Sequence, residues 1–205
     1  MQRRRFLQLF SAASLAAIAP VGQLVAFQSR DFVSPPLGLR LTPPAGWHWP
    51  DFAEVVRNLE RQTFVSDELA PNEGPAPLIA FYKVPEPHPD MNPGIWIYAD
   101  RVEPWMGSPL DLADQYLAIM SESVLEPHVA QPPTHVELAG RPAAQVVFQY
   151  RAIAEEEGFD HHVTDLSTLV YHNGHVIWLL MEDSRDGPEN ETDTFESVLR
   201  SVSLT

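Results

Sequence analysis

Apolar positions along the chain follow two periods in turn, which predicts a mixed fold and not an all-helical or all-strand one. Leu37 to Thr42 is a short extended run, stopped by Pro43-Pro44-Ala45-Gly46. Asp51 can cap a helix whose Phe52, Val55, Val56 and Leu59 form an i, i+3, i+4, i+7 stripe, and Pro71 to Pro77 breaks it. Leu78 to Val84 and Ile95 to Val102 read as strands around a proline-rich loop holding His88 and Asn92. At Ser108-Pro109-Leu110-Asp111 three helix-start signals agree: serine caps, proline suits the first turn, and the acid three residues on returns the capping bond. Leu112, Tyr116 and Met120, with Ala113 and Leu117, give that helix its buried face.

Val136 to Leu138 turns at Ala139-Gly140 into a long strand. Along it Ala144, Val146, Phe148 and Tyr150 alternate with Gln145, Val147, Gln149 and Arg151. Two further strands span about Val163 to Met181, hinged at Asn173-Gly174, a pair that tolerates the positive φ of a two-residue hairpin. A last helix, capped near Thr192 or Thr194, carries Phe195, Val198, Leu199 and Val202 on one stripe. Strands outnumber helices and adjoin as hairpins. The expected fold class is therefore α+β, with a mostly antiparallel sheet and helices packed on it.

The first residues read differently. Arg3, Arg4 and Arg5 precede Phe6 and Leu7 and then a weakly apolar run rich in alanine and serine, the layout of an export signal. Consecutive arginines followed by Phe6 and Leu7 resemble the twin-arginine address, which sends folded cargo through its own translocon. Pro20, Gly22 and Gln23 interrupt the run before it reaches the roughly 20 apolar residues of a membrane span. Residues 1–26 are thus expected to be a signal, 27–36 a linker and 37–205 a single domain. The protein is expected to be periplasmic or secreted, with no permanent membrane anchor once the signal is cleaved.

Charge and cysteine content narrow the partners. The formal net charge is −15, and losing the three leader arginines takes it to −18. So acidic a surface repels phosphate backbones, which argues against nucleic acid. With no cysteine, disulfides, iron–sulfur clusters and thiolate zinc are excluded, as is a lipid-modified N-terminal cysteine.

Three short motifs carry a resemblance. Pro43-Pro44-Ala45-Gly46-Trp47, Leu138-Ala139-Gly140-Arg141-Pro142-Ala143 and the closing Phe195-x-x-Val198-Leu199-x-Ser201-Val202-x-Leu204 resemble the PsbP-like family. The likeness runs from about Asp31 to the C-terminus. Its superfamily includes the extrinsic PsbP protein of photosystem II, bacterial DcrB-type periplasmic proteins and a small nuclear Ran-binding factor. It implies an antiparallel sheet sandwiched between helices and no single activity, since members act mainly as accessory, assembly or binding proteins. Some PsbP proteins bind metal ions, but no such ligand motif maps onto residues of this chain. A shared fold licenses structure, not function.

Candidate chemistry is sparse. Flanking a two-residue turn, His172 and His175 should face each other with Cβ atoms about 5 Å apart, a spacing that could clip zinc or copper. Val170 and Ile177 beside them cannot ligate, and a catalytic zinc wants three protein ligands. His161 and His162 lie ten residues up the strand, roughly 33 Å away. Exposed hairpin-end histidines are the plainer reading. From Glu182 to Asp193, with Ser184, Asp186 and Gly187 between, runs a faint calcium-loop pattern, spoiled by Glu at the first place, Asp at the last and Glu189 where an apolar residue belongs. Glu155-Glu156-Glu157 with Asp160 reads as a charged hairpin tip beside Gly158, not as an acid–base pair.

Trp96 and Trp178 fall inside strands and read as core. With Trp47, Trp49 and Trp105 they could instead line a ligand groove. No catalytic, cofactor or metal residue is singled out and no cofactor is expected. Only Arg3, Arg4, Phe6 and Leu7 are assigned, to export. The expected function is that of a non-enzymatic binding, accessory or assembly protein that contacts another envelope protein. The alternatives are a small hydrolase or metal-dependent enzyme with dispersed site residues, or a carrier of a small apolar ligand.

Overall fold

A computed structural model describes residues 31–49, 77–85, 91–154, 159–184 and 191–205. The export signal, the helix expected from Asp51, His88, Glu155 to Gly158 and the middle of the Glu182–Asp193 loop lie outside the described residues.

Among the described residues nine strands and two α-helices run β1 (Phe32–Ser34), β2 (Leu39–Leu41), β3 (Ile79–Tyr82), β4 (Gly94–Arg101), α1 (Pro109–Ser123), β5 (Leu125–Leu138), β6 (Arg141–Ala154), β7 (Phe159–His172), β8 (His175–Ser184), α2 (Thr192–Ser201) and β9 (Ser203–Leu204). Six of the strands form one sheet in the order β3-β4-β8-β7-β6-β5, and β1-β2-β9 form a smaller one. Every pairing is antiparallel. The α+β class and the mostly antiparallel sheet are what the periodicity predicts, and helices on both of its faces are what the resemblance implies.

Period-2 alternation divides the buried strand residues between the two faces of the sheet, and two large cores result. One core joins Phe81, Ile95, Ile97, Val170, Ile177, Leu179 and Met181 of the large sheet to Leu39 and Leu41 of the small sheet and to Phe195, Val198 and Val202 at the C-terminal helix. On the opposite face Ala144, Val146, Leu169, Val176 and Trp178 meet Leu112, Ala113 and Tyr116 of α1. The sheet therefore has α1 on one face and α2 with the small sheet on the other.

The start of α1 is as read: the Ser108 hydroxyl accepts from the Asp111 N–H at 3.2 Å, while the Asp111 carboxylate accepts from the Ser108 N–H at 2.7 Å. Trp96 and Trp178 are core, as expected. At the β7–β8 turn Asn173 and Gly174 take φ of 48° and 74°, as a tight hairpin requires.

Three expectations are corrected. Phe32–Ser34, within the expected linker, pairs with β2 as β1. The final helix has Glu191 at its N-cap and makes no side-chain capping bond there, so Thr192 and Thr194 lie inside it. The strand expected to begin at Val136 begins at Leu125. Pro127, Pro132 and Pro133 hid it, and they are tolerated because β5 is an edge strand whose register shifts at three places.

Candidate functional site

Antiparallel register places two acids side by side near the middle of the large sheet. One transverse row runs Val129, Phe148, Asp165, Glu182, Gly94, Tyr82 from β5 to β3. Asp165 shares its face with Ser167 and Leu169, and Glu182 shares its face with Leu180 and Trp178, which is the face that α1 covers. Gly94, next in the row, leaves room that the indole of Trp96 fills, since a Cβ there would lie 2.3 Å from that ring.

Asp165 has no exposed surface. Its carboxylate accepts from the hydroxyl of Tyr116, which α1 presents, and from the Ser167 hydroxyl at 2.8 Å. The indole N–H of Trp178 donates in turn to the Ser167 oxygen at 3.0 Å. Half-buried Glu182 accepts from the Tyr150 hydroxyl at 2.7 Å. Trp96 donates to the Tyr82 hydroxyl at 3.2 Å, closing the cluster toward β3.

Burial, reinforced by the charge of Glu182, pushes Asp165 up to about 8 against the opposing hydrogen bonds from Tyr116 and Ser167. Burial also raises Glu182, and the Tyr150 bond opposes that rise. Tyr116 and Tyr150 are held well above the usual phenol range, first by burial and then by the carboxylate charges beside them. Two adjacent carboxyls faced by phenols, an alcohol and an indole cannot both ionise cheaply. Losing the second proton is therefore disfavoured, which raises both groups above the ordinary carboxyl range. As chemistry this arrangement can hold a proton. Reaching a substrate with it would require α1 to move, because Asp165 is sealed beneath that helix.

The sequence-derived candidates fare differently. His172 and His175 do form a cross-strand pair, but the expectation of exposed hairpin-end histidines fails for His172, which is 3 % exposed. Its Nε2–H donates to the Thr205 carbonyl at 3.1 Å, while His175 Nδ1–H donates to the Asn173 carbonyl at 2.9 Å. The two rings are thus tied to different backbone groups. His172 sits where the end of the chain crosses Gly38, whose φ of 62° and whose contact with Thr205 leave no room for a Cβ. His172 Nδ1 and the Tyr171 hydroxyl are buried and have no hydrogen-bond partner among the described residues.

Of the calcium-loop residues, Glu182 turns into the core onto Tyr150 and Asp193 is exposed in the first turn of α2. Asp183 accepts from the Glu191 N–H at 2.9 Å, and Glu191 pairs with Lys83 at 2.7 Å, so these acids tie α2 to the sheet. Asp160 lies on the surface, gripped by Arg151, which also reaches Glu126. His162 approaches Glu126 on the same ribbon. Among the described residues no group of three or more His, Asp or Glu is placed to hold a metal ion, and no helix is long and apolar enough to cross a membrane.

The three motifs of the resemblance do structural work. The Pro-Pro-Ala-Gly-Trp segment is a turn that sets Trp47 edge-on against Phe195, with ring centres 6.3 Å apart. Leu138 to Ala143 is the β5–β6 turn, and the last motif is α2 with β9.

No protein-family profile matches the sequence, and no curated protein does. Solved structures do match. PsbP of the cyanobacterium Synechocystis superposes with a TM-score of 0.54 at 13% identity, over 93% of this chain and 99% of that one. LpqN of Mycobacterium tuberculosis, described as involved in cell envelope biogenesis, gives a TM-score of 0.51 at 14% identity, over 82% and 83%. The class the fold defines is the α+β sandwich of PsbP. At these identities the likeness concerns the fold alone.

Proposed function

We propose that this chain is a member of the PsbP-like superfamily, exported from the cytoplasm, which acts without catalysis as an accessory or binding protein for another protein of the cell envelope. One observation carries the reading. The carboxyls of the described residues best suited to acid–base work, Asp165 and Glu182, are spent on internal hydrogen bonds, and Asp165 has no surface at all. That leaves the outer surface as the working part. The leader at Arg3, Arg4, Phe6 and Leu7 supports export. The fold shared with an envelope-biogenesis protein supports the setting.

The test uses the full chain in a bacterium with the twin-arginine route. A photo-crosslinking residue stands in place of exposed Val129, with and without Arg3, Arg4 and Arg5 changed to lysine. The expected result is processed protein outside the cytoplasm and one adduct of defined mass, with the lysine variant retained as uncrosslinked precursor. The same adduct should form in Asp165→Asn. Equal export of the lysine variant would overturn the twin-arginine assignment. Exported, folded wild type that forms no adduct would overturn the reading of the outer surface as the working part.

A further inference from the structure

Asp165 and Glu182 lie opposite each other in adjacent strands, on the face beneath α1. The titratable groups that face them come from every element around: Tyr116 of α1, Tyr150 of β6, Tyr98 of β4 and, beyond Tyr98, Tyr82 of β3. None of these is a cation. Among the described residues the causes acting on this buried pair include no cation, and two like charges on directly paired residues disfavour double ionisation, so the pair keeps a proton. The helix over Asp165 is itself bonded to it, because the Tyr116 hydroxyl donates to Oδ2. Tyr116 also lies edge-on to Trp178, ring centres 4.8 Å apart, and Trp178 is bonded to Ser167, which is bonded to Asp165. The docking of α1 and the protonation of the pair therefore share one set of contacts.

We propose that the Asp165–Glu182 pair is a pH-sensitive latch for α1: undocking the helix exposes the pair to water and releases its proton, so the helix docks more tightly as the medium becomes more acidic. The direction follows from linkage. In the undocked state Asp165 meets water and returns toward the ordinary carboxyl value of 3.8, whereas docked it is pushed up to about 8. Between those limits the undocked form binds fewer protons, so the opening constant rises with pH, by at most about tenfold per unit for one proton. Above about 8 both forms have lost it and the constant levels off. A helix that loosens toward neutral and alkaline pH would expose the face holding Trp178 and Leu169. This goes beyond the accessory role proposed above and does not depend on it.

The experiment is amide hydrogen exchange between pH 5.5 and 9.5, corrected for the intrinsic rate at each pH, and read on 109–123 and on the strands β6, β7 and β8. In the wild type the opening constant of α1 should exceed that of the strands by about tenfold or more at pH 8. It should rise several-fold per unit up to about pH 8 and then flatten. Asp165→Asn should make the slope clearly shallower, leaving only what Glu182, itself raised by burial, contributes. Glu182→Gln removes the neighbouring charge that raises Asp165 and should move the flattening to lower pH, and it decides the matter if Asp165→Asn does not fold. Equal opening constants for α1 and the strands would overturn the latch, as would a flat profile in the wild type, an unchanged slope in Asp165→Asn or an unmoved plateau in Glu182→Gln.

Discussion

Asp165 shows how a single inward residue can set the pH behaviour of a whole domain. Its native value is raised from the ordinary 3.8 to about 8, chiefly by burial. A carboxyl raised on folding stabilises fully below its unfolded value, and that contribution is lost as pH climbs to the folded one. The loss therefore spans roughly pH 4 to 8 and ends there. Asp165→Asn keeps an acceptor for Tyr116 but has no proton to lose. Urea midpoints at pH 4.5 and 8.5 should show the wild type weakening more than the variant. At pH 4.5, where the buried Asp165 is a neutral acid much like the amide, the two proteins should differ by no more than about 1 kcal/mol. A wild-type midpoint that falls no more than the variant's would remove Asp165 as the titrating group. This residue was legible in principle. Val163, Asp165, Ser167 and Leu169 share one parity in a strand whose apolar members are core, which marks Asp165 as facing inward. Its neighbour followed from the same hairpin, because the register that pairs His172 with His175 across the Asn173-Gly174 turn also pairs Asp165 with Glu182. What the sequence could not supply was Tyr116, which α1 brings over Asp165 from far along the chain.

At the scale of elements, legibility followed the strength of the local signal. The start of α1 was readable because its capping box needs only residues three apart. The Asn-Gly hairpin was readable for the same local reason. The N-terminus of α2 was misread because tertiary partners fix it: Glu191 holds Lys83 and its N–H meets Asp183. The apolar stripe of α2 was nonetheless clear, and it lies where that pattern requires. Phe195 is 4 % exposed within the core shared with the sheet, whereas Glu196 is exposed and reaches Arg200 at 3.0 Å. Phe195→Ala should therefore cost roughly 3–5 kcal/mol, while Glu196→Ala, which loses one exposed i, i+4 pair, should cost under about 0.5 kcal/mol. Denaturation of both variants beside the wild type checks this, and small, equal effects would mean that α2 is not docked.

At the scale of the whole molecule, the outer strands of the six-stranded sheet, β3 and β5, each present an edge to which another strand could pair. The two ends are managed differently. Beyond β3, His48 bridges Tyr82 through both backbone bonds, at 2.7 and 3.0 Å, so that edge is partly covered by the chain itself. At the other end β5 is 14 residues long and largely exposed, a strand that would ordinarily invite another. Pro127, Pro132 and Pro133 remove three N–H donors from it, and the shifts at Leu125/His128, Val129/Gln131 and Gln131/Thr134 break its flatness. The prolines that hid β5 from a periodicity reading thus also blunt its edge. The acidic net charge of −15 adds a general repulsion that salt should screen. Replacing Pro132 and Pro133 together with threonine and valine restores the donors and favours an extended strand. The double variant should keep its fold and associate more strongly than the wild type in sedimentation at matched concentration, and the difference should widen in high salt. Equal association of the two proteins in high salt would show that the prolines do not guard this edge, and that charge or another part of the surface keeps the sheets apart.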